Sequence, residues 1–143
     1  MSAMRERAPG ARPMIAAALR DHALVFESNE PAGSPDAYFA NVRPDPDAVV
    51  PGALYDIDAS DLELLDLYED VERNVYERVV LGILRSDGVR GDAIVYRMRR
   101  TRAARYGMPS RTQLDQIRAG YADWGLDVRA LEAALESITS IIP

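Results

Sequence analysis

Two strand-like runs, Arg78 to Arg85 and Asp92 to Met98, flank the dipeptide Asp87-Gly88. This dipeptide between two strand-like runs is a strong short-range signal for a β-hairpin, and so for antiparallel pairing. Two further extended segments, Tyr38 to Val42 and Val49 to Ile57, precede the hairpin, and helical patterns follow it. No strand–helix alternation and no phosphate-binding glycine loop is found. The pattern predicts an α+β fold with a curved, mostly antiparallel sheet flanked by helices.

Three helical segments have start or stop signals. The stretch Ser60-Asp61-Leu62-Glu63 reads as a capping box that opens the first. Pro109-Ser110 starts the second, and Gly125 ends it. Asp127 caps the last helix, which runs through Ile138. Because the chain has 143 residues and no linker or repeat, we expect a single domain over residues 1–143.

The composition excludes several classes of site. The absence of cysteine excludes disulfides, a thiol nucleophile and zinc–thiolate sites, and the absence of lysine excludes a lysine Schiff base. A net charge of −6 argues against nucleic-acid binding. No apolar run approaches the roughly 20 residues that span a bilayer. The segment from Met1 to Gly10 is charged and lacks an apolar h-region, so it does not read as a signal peptide. We expect a cytoplasmic protein with no membrane, metal or cofactor.

Two other features have a structural and a functional interpretation. His22 is the single histidine, and no nucleophile-elbow motif accompanies it, so we interpret it as a surface or boundary residue in a turn. A cluster of arginines is either a solvated basic face or a patch for an anionic ligand or partner. Its members are Arg97, Arg99, Arg100, Arg102 and Arg105.

Glu69 stands where the first predicted helix gives way to a turn, and the acids Asp70 and Glu72 follow it. Like charges at the negative end of a helix favour the neutral acid and raise the pKa of a carboxyl group. Such a group can take a proton in one step and return it in the next. From the local sequence, Glu69 is either this acid–base group or a solvated acid at a helix end.

Several segments carry a family resemblance in the right order. They include an "RxPGA"-like exit from a first helix, a glycine-containing strand, a "dL-xx-LD-x-yEGV"-like helix and turn, a tyrosine seven residues after the glutamate, and a closing "PS…G…GL" helix. In this chain they are Met4 to Ala11, Pro51 to Ile57, Asp61 to Val71, Tyr76, and Pro109-Ser110 with Gly120 and Gly125-Leu126. Together they resemble the gamma-glutamylcyclotransferase (AIG2-like) family.

The resemblance implies a small, mostly antiparallel β-barrel with peripheral helices and a pocket at one side. It also implies an enzyme of glutathione metabolism that converts a gamma-glutamyl amine or amino acid to 5-oxoproline and the free amine, without a cofactor. Glu69 would be the catalytic glutamate and Tyr76 would line the pocket. Gly52, Tyr38 and Asn41 are further candidates for binding the gamma-glutamyl substrate, although Tyr38 and Asn41 fit ordinary strand positions equally well.

Two positions and one loop depart from the family pattern. Asp70 replaces the glycine after the glutamate, and Gln113 stands where the family often has a tyrosine. The "YGSN" loop that holds the substrate in the family is not found, so we expect the first strand of the fold to be absent. The edge left unpaired would favour a homodimer. Two alternatives follow: a non-catalytic binding or assembly protein on the same scaffold, or an enzyme that removes a gamma-glutamyl protecting group from a biosynthetic intermediate.

Overall fold

The computed structural model describes residues 4, 7–28, 38–69, 71–72, 75–99 and 105–141. Within them the chain forms five strands and three helices. In chain order these are β1 (Arg12–Ser28), β2 (Phe39–Asp56), α1 (Ala59–Tyr68), β3 (Tyr76–Arg85), β4 (Arg90–Met98), β5 (Arg105–Tyr106), α2 (Arg111–Trp124) and α3 (Arg129–Ile141). The sheet order is β2-β1-β3-β4, and β5 pairs with β1.

The α+β class and the antiparallel character of the sheet are confirmed. The pairs β1–β3, β1–β5 and β3–β4 are all antiparallel. Among the described residues the path of paired strands does not close on itself, so the barrel is loose. No helix in the described part of the chain is both long enough and apolar enough to cross a membrane.

The predicted hairpin is formed by β3 and β4. Its turn places Gly88 at a φ of 88°, a left-handed conformation that glycine adopts without strain. The Arg85 N–H donates to the Val89 carbonyl at 2.9 Å and closes the hairpin. Each strand begins two residues before its predicted start, β3 at Tyr76 and β4 at Arg90. The pairing Tyr76↔Met98 and Leu84↔Arg90 includes these added residues.

The two longest strands correct the turn predicted at His22 and a second turn that the sequence Pro44-Asp45-Pro46-Asp47 predicts. β1 and β2 run through these segments, and the chain bends instead at single residues. Asp21 and Asp47 have positive φ, at 56° and 66°, which Asp tolerates better than most residues. The Asp47 N–H donates to Asp21 Oδ1 at 3.2 Å, so one bend is bonded to the other.

The described residues group into two compact units, each with its own apolar core. The first unit comprises Met1–Leu19 and Gly52–Arg99, and its buried cluster is Ala8, Ala11 and Leu65. The second comprises Arg20–Pro51 and Arg100–Pro143. Its buried cluster is formed by Phe26, Tyr121, Leu131, Ala134 and Ile138.

Helix α1 begins two residues earlier than the predicted capping box. Asp58 is the N-cap, since its side chain accepts the Asp61 N–H at 2.9 Å while the Asp61 side chain accepts the Asp58 N–H. These backbone hydrogen bonds, with the Ser60 hydroxyl, hold the pKa of Asp58 below its ordinary value. Ser60 thus supports the cap instead of providing it.

The predicted ends of the second helix agree with the structure. Ser110 is the N-cap of α2 and accepts the Gln113 N–H, and Gly125 is its left-handed C-cap. The sequence also predicts a surface loop from Glu30 to Asp36 and a short helix from Ser2 to Ala8. This loop and most of this helix lie outside the described residues, as do the side chains of Asp70, Arg100 and Arg102.

Candidate functional site

Glu69 is the C-cap of helix α1, as the sequence predicted. Its N–H donates to the Leu65 carbonyl at 2.9 Å, and the Val71 N–H donates to the Asp66 carbonyl at 3.1 Å. These two hydrogen bonds fix the backbone on both sides of Glu69 in a turn at the end of the helix. The half-buried side chain therefore projects from a turn whose backbone is hydrogen-bonded on both sides.

The start of α1 is fastened to the segment before β1. Asp61 is buried and accepts the Gly10 N–H at 3.1 Å. The approach is so close that a Cβ on Gly10 would lie 2.7 Å from Asp61 Oδ2, so this position requires glycine. Leu65 packs on Ala8 and Ala11 one turn later. Helical spacing predicts that Tyr68 shares one apolar face with Leu65. Tyr68 is instead exposed, with the Arg7 guanidinium 4.2 Å above its ring.

Tyr76 and Gly52 lie in the same unit as Glu69. Tyr76 is the first residue of β3, half-buried and opposite Met98. Gly52 lies in β2, and a Cβ added there would meet no described atom within 4 Å. The backbone at Gly52 therefore borders open space. The predicted roles of Tyr76 and Gly52 in substrate binding stay predictions.

Asn41 lies in the second unit and is buried, with its amide engaged by a carboxylate. Asn41 Nδ2 donates to Glu27 Oε2 at 2.8 Å. Arg43 makes a bidentate pair with the same carboxylate, from Nε to Oε1 at 2.9 Å and from Nη2 to Oε2 at 2.7 Å. Glu27 is fully buried, so these donors compensate a charge that water does not reach. The predicted contact of Asn41 with substrate stays a prediction.

Tyr38 also lies in the second unit, where its ring packs against the apolar core and against the backbone of Gly107. A Cβ on Gly107 would lie 2.5 Å from Tyr38 Cζ, so only glycine fits under the ring. The Arg105 guanidinium is 5.8 Å from the ring centroid. The position of Tyr38 thus depends on a glycine in the segment between β5 and α2.

Replacing Gly107 by Ala is expected to lower the free energy of unfolding by about 1–3 kcal/mol, because the methyl group must displace the Tyr38 ring. Thermal and denaturant unfolding measure this change. Gly120→Ala is the matched control: it adds a methyl in α2 with no described atom within 4 Å, and should raise stability by up to about 1 kcal/mol. Equal effects of the two substitutions would contradict the packing argument.

The remaining sequence candidates have structural partners. His22 is buried within β1 instead of lying at the surface, and its Nδ1 is 2.8 Å from the Arg20 carbonyl oxygen. Arg97 donates two hydrogen bonds to Glu77 Oε1, and Arg99 Nη1 lies 3.5 Å from Glu77 Oε2. In the described ranges, no three His, Asp or Glu side chains converge in a group that could hold a metal ion.

The comparisons with known proteins decide the family. A model of the family described as gamma-glutamyl cyclotransferase, AIG2-like, matches residues 3–124. The chain belongs to this family. No curated protein matches the sequence. The 122 residues of this chain that match the gamma-glutamyl cyclotransferase model include all five predicted site residues, which lie between Tyr38 and Tyr76.

Solved structures resemble the fold. A gamma-glutamyl cyclotransferase matches with a TM-score of 0.80 at 22% identity, over 93% of this chain and 78% of that one. An uncharacterized protein from Homo sapiens matches with a TM-score of 0.78 at 23% identity, over 92% and 77%. YkqA from Bacillus subtilis matches with a TM-score of 0.73 at 20% identity, over 97% of this chain and 48% of that one. The gamma-glutamyl cyclotransferase fold therefore extends over nearly the whole chain.

Two groups in the structure were missed by the sequence analysis. Glu27 was not singled out, because a lone acid in an apolar strand gives no local sign of its partners on a neighbouring strand. Asp66 falls mostly off the apolar face that helical spacing predicts for α1, yet it binds two residues of the hairpin, Tyr96 and Arg78. Its position one helical turn before Glu69 is the signal that could have identified it.

Proposed function

We propose that this chain is a cofactor-free gamma-glutamylcyclotransferase that converts a gamma-glutamyl amine or amino acid to 5-oxoproline and the free amine. The observation that carries the proposal is the placement of Glu69. It caps a helix in a family-matched segment, and the strand that begins with Tyr76 follows it. A carboxylate whose backbone is hydrogen-bonded at a helix end suits repeated proton transfer, since its point of attachment does not change between steps.

In the proposed reaction, the α-amine of the gamma-glutamyl group attacks the γ-carbonyl carbon and forms a C–N bond in a five-membered ring. An amine with a pKa of about 8 is mostly protonated at neutral pH, so it first loses one proton to solvent. As the neutral amine attacks, Glu69 accepts the second proton from its nitrogen. The γ-amide C–N bond then breaks, and Glu69 returns the proton to the leaving nitrogen. The substrate supplies its own nucleophile, so the large advantage of an intramolecular reaction needs only a folded substrate conformation.

The test is turnover of gamma-glutamyl-alanine by the purified chain, with 5-oxoproline and alanine quantified by mass spectrometry. We expect both products in equal amounts. The isomer α-glutamyl-alanine is the matched control substrate; it has the same atoms and a free α-amine, but its γ-carbonyl belongs to a carboxylate and not to an amide, so it should give no enzymatic product. Failure to convert any gamma-glutamyl amide in a panel of amino acids, simple amines and larger carrier-linked amines would remove the proposal in favour of a binding or assembly role.

The same panel separates the proposed general activity from a deprotecting role. Faster turnover of larger carrier-linked amines than of amino acids and simple amines would identify the chain as an enzyme that removes a gamma-glutamyl protecting group.

A further inference from the structure

The last turn of α1 is fastened to the β3–β4 hairpin by one side chain, that of Asp66. Its Oδ1 accepts the Tyr96 hydroxyl at 2.5 Å, and its Oδ2 accepts Arg78 Nη1 at 3.2 Å. Both carboxylate oxygens are therefore bonded, one to each strand of the hairpin. Hydrogen bonds with an ionised partner are shorter and stronger than neutral ones, and the bond to Tyr96 has that short distance.

The register of the hairpin connects this contact to Tyr76. Arg78 pairs with Tyr96, and Tyr76 pairs with Met98. Alternate residues of a strand project from the same face, so Tyr76 and Arg78 share a face with Tyr96. Asp66 therefore binds the face of the hairpin that also bears Tyr76.

The backbone of the same residue closes the turn that bears Glu69. The Asp66 carbonyl accepts the Val71 N–H at 3.1 Å. Asp66 thus joins two sets of interactions: its side chain binds the hairpin, and its backbone holds the turn around Glu69.

We propose that Asp66 is a positioning residue for Glu69, acting with Tyr96 and Arg78 to hold the turn of the general acid–base group in register with the face that bears Tyr76. The inference rests on the proposed function for its effect on turnover. Positioning is a sufficient reason for a rate effect, because a misplacement of about 1 Å from a remote substitution can lower a rate about 10²-fold.

The chemistry of the three groups suits a permanent attachment. Burial and the hydrogen bond to Asp66 raise the pKa of Tyr96 above its ordinary value, so the phenol keeps its proton and remains a donor at neutral pH. The guanidinium of Arg78 balances the charge of Asp66. Tyr96 also packs on the cluster of Ala8, Ala11 and Leu65, so its ring is fixed independently of its hydroxyl.

Tyr96→Phe is the test, because it keeps the packed ring and removes only the hydroxyl that binds Asp66. We expect kcat for 5-oxoproline formation to fall about tenfold, with KM within about twofold of the wild-type value. Amide hydrogen exchange at Glu69 and Val71 should accelerate by a similar factor, while the Arg85 amide at the far end of the hairpin should not change. Asp87→Asn, in the exposed hairpin turn, is the control that leaves both readouts unchanged.

The double variant Asp66→Asn/Tyr96→Phe should be no slower than the slower single variant, because both substitutions break one attachment. Additive losses, a change confined to KM, or unchanged exchange at Glu69 and Val71 would each overturn the proposal. The exchange measurement does not depend on turnover. If the wild-type chain forms no 5-oxoproline, the proposed function fails, and exchange at these two amides still decides whether Asp66 holds the turn.

Discussion

Replacing Glu69 by Gln is expected to lower kcat for 5-oxoproline formation by about 10²- to 10⁴-fold, the range that a positioned acid–base group contributes. Gln has nearly the same shape as Glu but cannot take the proton from the attacking amine. KM should change little, since the substitution removes proton transfer and not the binding surface. Steady-state kinetics with gamma-glutamyl-alanine measure both constants.

Glu72→Gln is the matched control for this prediction. Glu72 is an exposed acid in the same turn, three residues further along the chain, and its neutralisation changes the local charge by the same amount. We expect less than a twofold change in kcat. If Glu69→Gln and Glu72→Gln lowered the rate equally, the effect would come from local charge, and Glu69 would not be the proton carrier.

Replacing Arg43 by Met should lower the free energy of unfolding by about 3–5 kcal/mol, because it removes the bidentate charge partner of a buried carboxylate. The Glu27 side chain is fully buried and that of Arg43 is 13% exposed, so water cannot take over the lost interaction. Urea unfolding followed by circular dichroism measures the change.

Arg12→Met is the control, because it removes an ion pair of similar length that is exposed to water. Arg12 Nη2 lies 2.8 Å from Asp56 Oδ2, and the two side chains are 79% and 54% exposed. This substitution should therefore leave the free energy of unfolding unchanged within error. The double variant Glu27→Leu/Arg43→Met should recover part of the loss, since no unpaired charge then remains in the core. An Arg43→Met protein as stable as the wild type would show that the buried pair adds nothing.

The fold was predictable wherever a local signal sets the structure. Asp87-Gly88 determines the hairpin because its turn needs a residue at positive φ, and Ser110 and Gly125 end α2 through their own backbone preferences. The long strands were harder to predict, since Asp21 and Asp47 have positive φ without ending β1 or β2. A turn signal in such a strand has the same residues as a turn that separates two strands, and only pairing with a neighbouring strand distinguishes them.

The same distinction applies to the candidate site. The position of Glu69 at the end of α1 followed from the apolar pattern and the motif around it. The contacts of Asn41 and Asp66 did not follow, because their partners lie 14 and 30 residues away along the chain. Sequence periodicity assigns a residue to a face but does not say which polar groups that face will meet.

The attachment of Asp66 to the hairpin limits where residues can be inserted into the chain or deleted from it. A helix turns by about 100° per residue, so one residue inserted between Asp66 and Glu69 would swing Glu69 to another side of α1 while Asp66 stayed on the hairpin. Substitutions within this stretch preserve the angle, whereas insertions and deletions do not. The proposed roles of Asp66 and Glu69 therefore require a fixed interval of three residues between them, and we expect insertions and deletions to be tolerated only outside it.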